Sequence, residues 1–223
     1  MPICRAGAKL IYFAHVPKCG GTAVERYLAK RFGKLGFWDE AYAQRDPASA
    51  WTISPPQHVL EVVRRDLLPD RLFDAQFATV RHPATRLRSM FRFQRDIENA
   101  LPPNTRFRTW IEGLPRTLAT APYALHGHPR PMSDYVPKQA QVFRMEEGLD
   151  QVIPWIEALI GEEPSDPPET LPRVNELERR LPPEVVNRPP VLLDEANLAL
   201  IADIYASDYD RFGYDIAPPE QTS

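Results

Sequence analysis

The sequence is poor in cysteine and glycine, and it has no long apolar run. Its two cysteines, Cys4 and Cys19, cannot form a disulfide framework and lack the spacing of a zinc site, which indicates a reducing compartment. Ten glycines against 25 prolines favour stiff loops over flexible linkers. Since no apolar run approaches the roughly 20 residues of a membrane-spanning helix, we predict a cytoplasmic protein without a membrane span.

The chain is long enough for one domain with a sizeable core. Its 223 residues are 43% apolar and 26% charged, the balance of a globular protein. The net charge is −3, but residues 1–111 hold 18 basic and 10 acidic side chains, whereas residues 112–223 hold 9 and 20. A basic first half suits an anionic ligand, although solvated faces explain the charge alone more simply. We predict a single domain over residues 1–223.

Short apolar segments alternate with helical patterns along the chain, which predicts the α/β fold class. The segments predicted as buried strands are 10–16, 77–80 and 141–145. The predicted helices are 22–32, 58–68, 83–97, 107–118, 149–160, 175–180 and 195–209. Strands separated by helices form a central parallel sheet flanked by helices, a three-layer arrangement with right-handed crossovers. Residues 119–137 form a Pro-rich loop long enough for a lid or a substrate-binding segment.

The stretch HVPKCGGT (15–22) joins the first predicted strand to the first predicted helix. In parallel sheets, ligands bind at the carboxyl ends of the strands, where helix N-termini direct backbone N–H groups outward. Gly20 and Gly21 let backbone amides approach an anion, Lys18 supplies a positive charge, and Thr22 supplies a hydroxyl. We therefore predict a phosphate site, although a simple strand-to-helix turn with a solvated lysine fits the same residues. The P-loop sequence GxxxxGK[ST] is absent.

A second candidate anion site follows the second predicted strand, in VRHPATRLRSMFRFQR (80–95). Arg81 ends that strand, and a charge there needs a partner because burying an unpaired charge is costly. Ser89 lies two helical turns further on. An arginine can hold a phosphate through two parallel hydrogen bonds, and a serine can add another. For three other arginines of this helix we expect a solvated face: Arg86, Arg92 and Arg95.

Together the two motifs resemble those of sulfotransferases that use 3′-phosphoadenosine 5′-phosphosulfate (PAPS). HVPKCGGTA resembles their 5′-phosphosulfate loop, and VRHPATRLRSMF resembles their 3′-phosphate motif, with an arginine and a serine eight positions apart. Further segments resemble, in the same order, the carbohydrate-type enzymes and their soluble bacterial relatives: SPPQH, YVPKQAQVFRMEE, LPRVNELER and IYASDYDRFGYD. The resemblance spans nearly the whole chain and implies one sulfotransferase domain with a P-loop-like fold. The glycine-rich C-terminal nucleotide segment of the cytosolic steroid and phenol enzymes is missing, which argues against that branch.

The resemblance implies a role for each matching residue. The residues implied to bind the 5′-phosphosulfate of PAPS are Lys18, Cys19, Gly20, Gly21, Thr22 and Ala23. Those implied to bind the 3′-phosphate are Arg81 and Ser89, and those implied to close the nucleotide site are Arg173 and Asn175. Cys19 stands where many relatives have a serine or threonine, and we expect only its backbone amide to matter. The product is adenosine 3′,5′-bisphosphate, and no metal is required by this arrangement.

Sulfuryl transfer by in-line attack needs a general base for the acceptor hydroxyl. Histidine suits this role, since its unperturbed pKa of about 6.5 lies near working pH. The resembling enzymes have a histidine or glutamate base in the region of His58, which we predict as the base, with Glu61 in reserve; helix capping or packing is the alternative role of His58. Lys18 is the second predicted catalytic residue, because its charge would stabilise the oxygen between sulfur and the 5′-phosphate. His15 and His82 are expected to orient loops.

The acceptor is expected to be a carbohydrate or a small metabolite, and His126 and His128 of the Pro-rich loop are candidates for contacting it. A nucleotide kinase or NTPase remains an alternative, because it shares a parallel sheet and a lysine loop. It would need the missing GK[ST] sequence and a strand ending in a magnesium-binding aspartate. A non-catalytic nucleotide-binding module is a further alternative. No nucleic-acid partner is expected, since no known basic and aromatic module is present.

Overall fold

A four-stranded sheet forms the centre of the fold. The computed structural model describes residues 1–174 and 191–219. The strands are β1 (Ile3–Ala6), β2 (Lys9–Ala14), β3 (Ala75–Val80) and β4 (Gln141–Arg144), and their order in the sheet is β1-β2-β3-β4. Strands β2, β3 and β4 are parallel. The predicted α/β class with a mainly parallel sheet is therefore confirmed.

Strand β1 was not predicted, and it runs antiparallel to β2 at one edge of the sheet. The register pairs Ala6 with Lys9, so the connection is a turn of two residues. Its first residue, Gly7, has a φ of 58°, which is the conformation that tight hairpin turns require and that glycine adopts without strain. With four residues of mixed burial, β1 is too short for its alternation to be recognised in the sequence.

Seven helices with clear boundaries accompany the sheet in the described part of the chain. They are α1 (Gly21–Phe32), α2 (Glu61–Leu67), α3 (Pro83–Asp96), α4 (Phe107–Thr120), α5 (Val152–Ile160), α6 (Glu195–Ile204) and α7 (Ala206–Phe212). Pro83 occupies the first turn of α3, where its fixed φ suits a helix start, and Gly213 ends α7 in a left-handed conformation. The predicted helix 175–180 lies outside the described residues.

Two predicted helices differ from the structure. His58 does not begin α2 but ends a 3-10 turn over Pro56–His58, because Val59 and Leu60 are extended and Leu60 is buried in the core. The predicted helix 195–209 is split into α6 and α7 at Tyr205, whose backbone leaves the helical region at φ −111° and ψ 28°. The Tyr205 side chain is fully buried, and its hydroxyl donates a hydrogen bond to the carbonyl of Pro129.

The described residues form two compact units. The first comprises residues 1–80 and 134–174 and contains the whole sheet, and the second comprises residues 81–133 and the described part of 175–223. The single domain over residues 1–223 stays a prediction.

In the first unit, helices cover both faces of the sheet. Phe13 stacks on Phe77 with ring centroids 4.8 Å apart, in a core cluster that includes residues of α1 and α5. The side chain of Tyr12 lies on the opposite face of the sheet, because successive side chains of a strand alternate between faces. On that side the guanidinium of Arg64, in α2, lies over the Tyr12 ring at 5.6 Å.

In the second unit, α3, α4 and α6 pack around a core of their own. Its members include Leu87 and Phe91 from α3, Trp110 from α4 and Ile201 from α6. The solvated face predicted for the arginines of α3 is wrong for Arg86 and Arg95, which are both buried. The reason is that each has partners: Arg95 pairs with Asp96 at 2.6 Å and lies over the Phe91 ring, and Arg86 donates to backbone carbonyls.

Candidate functional site

The loop of residues 15–20 that follows β2, called the Lys18 loop, has the backbone of an anion site. Lys18 and Gly20 both lie in the left-handed region, with φ of 68° and 78°. Turns of this kind direct successive N–H groups into one concavity that binds anions. For a lysine the conformation costs about 1–3 kcal/mol and is kept at functional sites. Between these residues, the Cys19 side chain is buried, and its Sγ donates to the carbonyl of Pro17 at 3.7 Å.

The Lys18 loop leads directly into the N-terminus of α1. The helix begins at Gly21, and Thr22 and Ala23 of its first turn are partly exposed. The first N–H groups of a helix lack partners within the helix, and the helix dipole is positive at this end. In α1 the N–H of Ala23 donates to the carbonyl of Gly20 at 3.0 Å. The end of β2, the two glycines and the start of α1 therefore form a concave turn, called the cradle, whose backbone geometry suits a phosphate or a sulfate group.

A Cβ at either glycine of the cradle would force a neighbour to move, and at Gly21 that neighbour is a fixed ring. A Cβ on Gly21 would lie 2.4 Å from Nε2 of His15, and a Cβ on Gly20 would lie 2.3 Å from Cδ1 of Leu149. His15 cannot move away easily, since its Nδ1 lies 2.5 Å from Oε1 of Glu25 and its ring stacks on Phe13. Both His15 and Glu25 are buried. The carboxylate of Glu25 accepts a hydrogen bond from Nδ1, and Nε2 faces the start of α1.

His58 lies next to His15 in the same unit. Their ring centroids are 4.8 Å apart and the rings meet edge to face at 78°. The backbone N–H of His58 donates to the carbonyl of Pro55 at 2.8 Å, and the side chain is partly exposed. Glu25 thus contacts His15, and His15 in turn contacts His58. His15 also borders the cradle at Gly21. The carboxylate of Glu61 instead holds the buried guanidinium of Arg64, at 3.0 Å from Nε.

A cavity of about 570 Å³ opens along α1 in the same unit. It is lined by Arg26 and Lys30 of α1, by Asp150, and by the segment that ends at Arg173. Oδ1 of Asp150 accepts the N–H of Leu171 at 2.8 Å. Asp150 belongs to a 3-10 turn over Leu149–Gln151, and the Leu149 side chain lies beside Gly20. This turn therefore lies between the segment that ends at Arg173 and the cradle. Asn175 lies outside the described residues.

The second predicted anion motif belongs to the second unit. Arg81 is partly exposed, and its Nε donates to Oγ1 of Thr85 at 3.1 Å. Ser89 is partly exposed in the second turn of α3. His82, which follows Arg81 in the chain, is fully buried. Its Nδ1 accepts a hydrogen bond from the N–H of Ala84, and its Nε2 lies 2.9 Å from the carbonyl oxygen of Asp215. His82 therefore caps α3 and holds the backbone from which Arg81 extends.

The end of the Pro-rich loop is fixed within the second unit. Nη2 of Arg86 donates to the carbonyls of His128 and Arg130 at 2.8 and 3.0 Å. The carboxylate of Asp208 accepts the N–H groups of Met132 and Ser133, both at 2.8 Å. Burial raises the pKa of Asp208, while the positive charge of Arg86 and these hydrogen bonds oppose the rise. Residues 128–133 are therefore held by hydrogen bonds to α3 and α7, and the role of the loop 119–137 as a lid or a substrate-binding segment stays a prediction.

Glu25 is the site residue that sequence reasoning missed. It lies three residues before Leu28, on the face of α1 that packs against the core. A carboxylate at such a position needs a partner, and this was a usable indication in the sequence. Its partner could not be identified, because His15 lies in a loop whose path is set by the tertiary fold.

Within residues 1–174 and 191–219, no cluster of three or more His, Cys, Asp or Glu side chains is arranged to hold a metal ion. No helix within the same ranges is both long enough and apolar enough to span a bilayer.

Comparison with known proteins gives one match. A family model described as the sulfotransferase family matches residues 2–215, nearly the whole chain. No curated protein matches the chain. No solved structure matches it.

Proposed function

The chain belongs to the sulfotransferase family, and on this premise we propose that it transfers a sulfuryl group from PAPS to an acceptor hydroxyl. The observation that carries the proposal is the cradle after β2, where Lys18 and Gly20 are left-handed and α1 begins at Gly21. A pair of glycines, a lysine and a helix N-terminus suit a bound phosphosulfate. The proposal also includes a P-loop-like fold, in which the loop between β2 and α1 binds the phosphosulfate.

The residues divide into two groups in the proposed cofactor site. The Lys18 loop and the first turn of α1, through Ala23, bind the 5′-phosphosulfate. Arg81 and Ser89 bind the 3′-phosphate, since an arginine fork and a hydroxyl together match its oxygens. Arg173 supplies a further positive charge from the cavity along α1, which supports its proposed role in closing the nucleotide site.

PAPS supplies an activated sulfuryl group on a phosphate leaving group. The Lys18 ammonium stabilises the negative charge that develops on the bridging oxygen, and the N–H groups at the start of α1 share in this role. His58 accepts the proton of the acceptor hydroxyl. His15 contacts the His58 ring and is itself held by Glu25, so this buried pair is a positioning element for the base.

The test is direct transfer. Incubation with labelled PAPS and a panel of acceptors, read by mass spectrometry, should give a product heavier by one sulfuryl group together with adenosine 3′,5′-bisphosphate. A thermal-shift assay separates the kinase alternative: adenosine 3′,5′-bisphosphate should stabilise the protein without magnesium, and ATP with magnesium should not. Stabilisation by ATP and magnesium alone would overturn the proposal. Binding of adenosine 3′,5′-bisphosphate without transfer to any acceptor would instead favour a non-catalytic module.

A further inference from the structure

The first turn of α3 contains a threonine whose hydroxyl contacts the guanidinium group of Arg81. Nε of Arg81 donates a hydrogen bond to Oγ1 of Thr85 at 3.1 Å. Arg81 precedes the helix and is partly exposed, whereas Thr85 is the third residue of the helix and is buried. A buried hydroxyl therefore contacts the arginine that is proposed to bind the 3′-phosphate.

The direction of this hydrogen bond is fixed by a second one. Oγ1 of Thr85 donates to the carbonyl of His82, three residues earlier in the chain, at 3.1 Å. Threonine hydroxyls in helices commonly bond to a carbonyl three or four positions back. A hydroxyl has one proton and two lone pairs, so once the proton points to His82, only lone pairs remain for Arg81. Thr85 is thus set as an acceptor for the Nε–H of Arg81.

An acceptor at Nε orients the guanidinium group of Arg81 as a whole. The group is planar and its Nε–H lies in that plane, so this hydrogen bond restricts the direction in which the two terminal Nη nitrogens point. An arginine side chain otherwise has many rotamers, and immobilising them when a ligand binds lowers the affinity. Because Thr85 already restricts the side chain, less of this freedom is lost on binding.

The same contact decides which edge of the guanidinium group meets a ligand. The rigid fork of donors can hold an oxyanion through Nε and one Nη, or through both Nη nitrogens. Since Nε donates to Thr85, the edge formed by the two Nη nitrogens is the one for the phosphate. Two parallel hydrogen bonds from this edge match two of the three terminal oxygens of a phosphate monoester.

The backbone that carries Arg81 is held independently of the Thr85 hydroxyl. His82 is fully buried, and its Nε2 lies 2.9 Å from the carbonyl oxygen of Asp215. The carbonyl of His82 also accepts the N–H of Arg86 at 2.9 Å. This carbonyl therefore keeps a hydrogen bond when the hydroxyl is removed, so a substitution of Thr85 acts on the Arg81 side chain more than on the start of the helix.

We propose that Thr85 is a positioning residue of the nucleotide site, which directs the Nη nitrogens of Arg81 toward the 3′-phosphate. This inference rests on the proposed function, since it explains how Arg81 would be held for that role. Thr85 acts through Arg81 and not by touching the ligand. Its effect is therefore confined to ligands that have a 3′-phosphate and to proteins that have Arg81, which separates it from a purely structural effect.

The experiment is calorimetric titration of the whole chain with adenosine 3′,5′-bisphosphate and with adenosine 5′-monophosphate, which has no 3′-phosphate. Thr85→Val keeps the shape of the side chain and removes the hydroxyl. In this variant the affinity for the bisphosphate should fall about 3- to 10-fold, the effect of losing one hydrogen bond. The affinity for the monophosphate should not change. Thr85→Ser, which restores the hydroxyl, should return the bisphosphate affinity to the wild-type value.

Three further variants isolate the contact. Thr117→Val removes another threonine hydroxyl that donates to a helix carbonyl, that of Gly113 in α4, and should leave both affinities unchanged. In an Arg81→Ala background, Thr85→Val should have no further effect, because the group that Thr85 orients is gone. Thr85→Ala should change the two affinities in the same ratio as Thr85→Val, so the test does not depend on the folding of one variant.

An unchanged bisphosphate affinity in Thr85→Val, or equal losses for the two nucleotides, would overturn the inference. A loss that persists in the Arg81→Ala background would do the same, since Thr85 would then act without Arg81. If Arg81→Ala weakens bisphosphate binding and Thr85→Val does not, the proposed function stands and the positioning role is removed. If the bisphosphate does not bind to the wild type, or binds equally well to Arg81→Ala, the proposed nucleotide site fails and the inference fails with it.

Discussion

Oε1 of Glu25 lies 2.5 Å from Nδ1 of His15, and both side chains are buried directly beneath the start of α1. Neither group can exchange this partner for water. The pair also fixes the His15 ring against both Gly21 and His58. One hydrogen bond therefore supports the phosphate cradle and the proposed base together.

Replacing Glu25 by glutamine should destabilise the fold. We expect the free energy of unfolding to fall by about 1–1.5 kcal/mol, because the amide oxygen offers Nδ1 of His15 a neutral acceptor in place of a charged one. Urea denaturation measures this. The matched control is Glu40→Gln, which removes the carboxylate of an exposed ion pair with Arg26 and should change stability by less than about 0.5 kcal/mol. Equal losses of unfolding free energy in the two variants would show that the buried Glu25–His15 pair stabilises the fold no more than an exposed ion pair does.

Replacing Lys18 by alanine should slow sulfuryl transfer. The expected loss in rate is about 100- to 1,000-fold, the effect of removing one group that stabilises charge in the transition state. Steady-state turnover with labelled PAPS measures it, and Lys34→Ala, at an exposed position, is the control. A near-normal rate in the Lys18 variant would contradict its catalytic assignment.

Replacing Arg81 by alanine should weaken binding of the 3′-phosphate. We expect the affinity for adenosine 3′,5′-bisphosphate to fall about 10- to 100-fold, since charged hydrogen bonds of this kind contribute about 1.5–3 kcal/mol. The affinity for adenosine 5′-monophosphate, which has no 3′-phosphate, should not change. Calorimetric titration of both ligands against wild type and against the exposed control Arg71→Ala tests this. Equal losses for the two nucleotides would assign Arg81 to another part of the ligand.

Replacing His58 by alanine should remove the base without removing the cofactor site. We expect the rate of transfer to fall by about 100- to 10,000-fold, the usual contribution of general base catalysis. The affinity for adenosine 3′,5′-bisphosphate should stay at the wild-type value. His126→Ala is the comparison, because His126 is another histidine with partial exposure. If that variant lost the activity and His58→Ala kept it, the base would be His126.

Replacing Asp208 by asparagine should change how stability depends on pH. Burial raises the pKa of Asp208 above its ordinary value of 3.8, so the native state holds a proton that the unfolded state releases. Its contribution to stability is therefore complete below pH 3.8 and is lost as the pH rises through the raised pKa. Asparagine has no such loss, so the free energy of unfolding of the variant should gain on that of the wild type as the pH rises from about 4 through the raised pKa of Asp208, by at most about 1.4 kcal/mol per pH unit. Urea denaturation across this range measures the difference in free energy of unfolding between the variant and the wild type. A constant difference would contradict the raised pKa of Asp208.

The parts of the fold that depend on local pattern could be predicted from the sequence. Strands β2, β3 and β4 are short apolar segments bounded by polar residues or proline, and α1 and α3 have the periodicity of a helix with one buried face. Glycines between a strand and a helix have few conformational explanations, which is why the Lys18 loop was predicted as an anion site, and that role stays a prediction. In the structure both Lys18 and Gly20 lie in the left-handed region.

The remainder depends on contacts between distant positions. Arg86 was expected in solvent, but the carbonyls that receive its hydrogen bonds lie 42 and 44 residues further along the chain. Likewise, Asp208 accepts from N–H groups some 75 residues before it. Periodicity indicates that a side chain lies near the edge of a helix face, but it does not reveal which loop will cover it. The same limit left the partner of Glu25 unidentified.

The missing space at Gly21 also governs the order in which this site can change during evolution. Any side chain at position 21 would collide with the imidazole at position 15, and that imidazole is held by Glu25. Position 15 must therefore become smaller before position 21 can become larger. Once His15 is lost, the carboxylate at position 25 is left buried without its partner, so selection would then favour its replacement. The three positions are therefore coupled through His15, which must change before either Gly21 or Glu25.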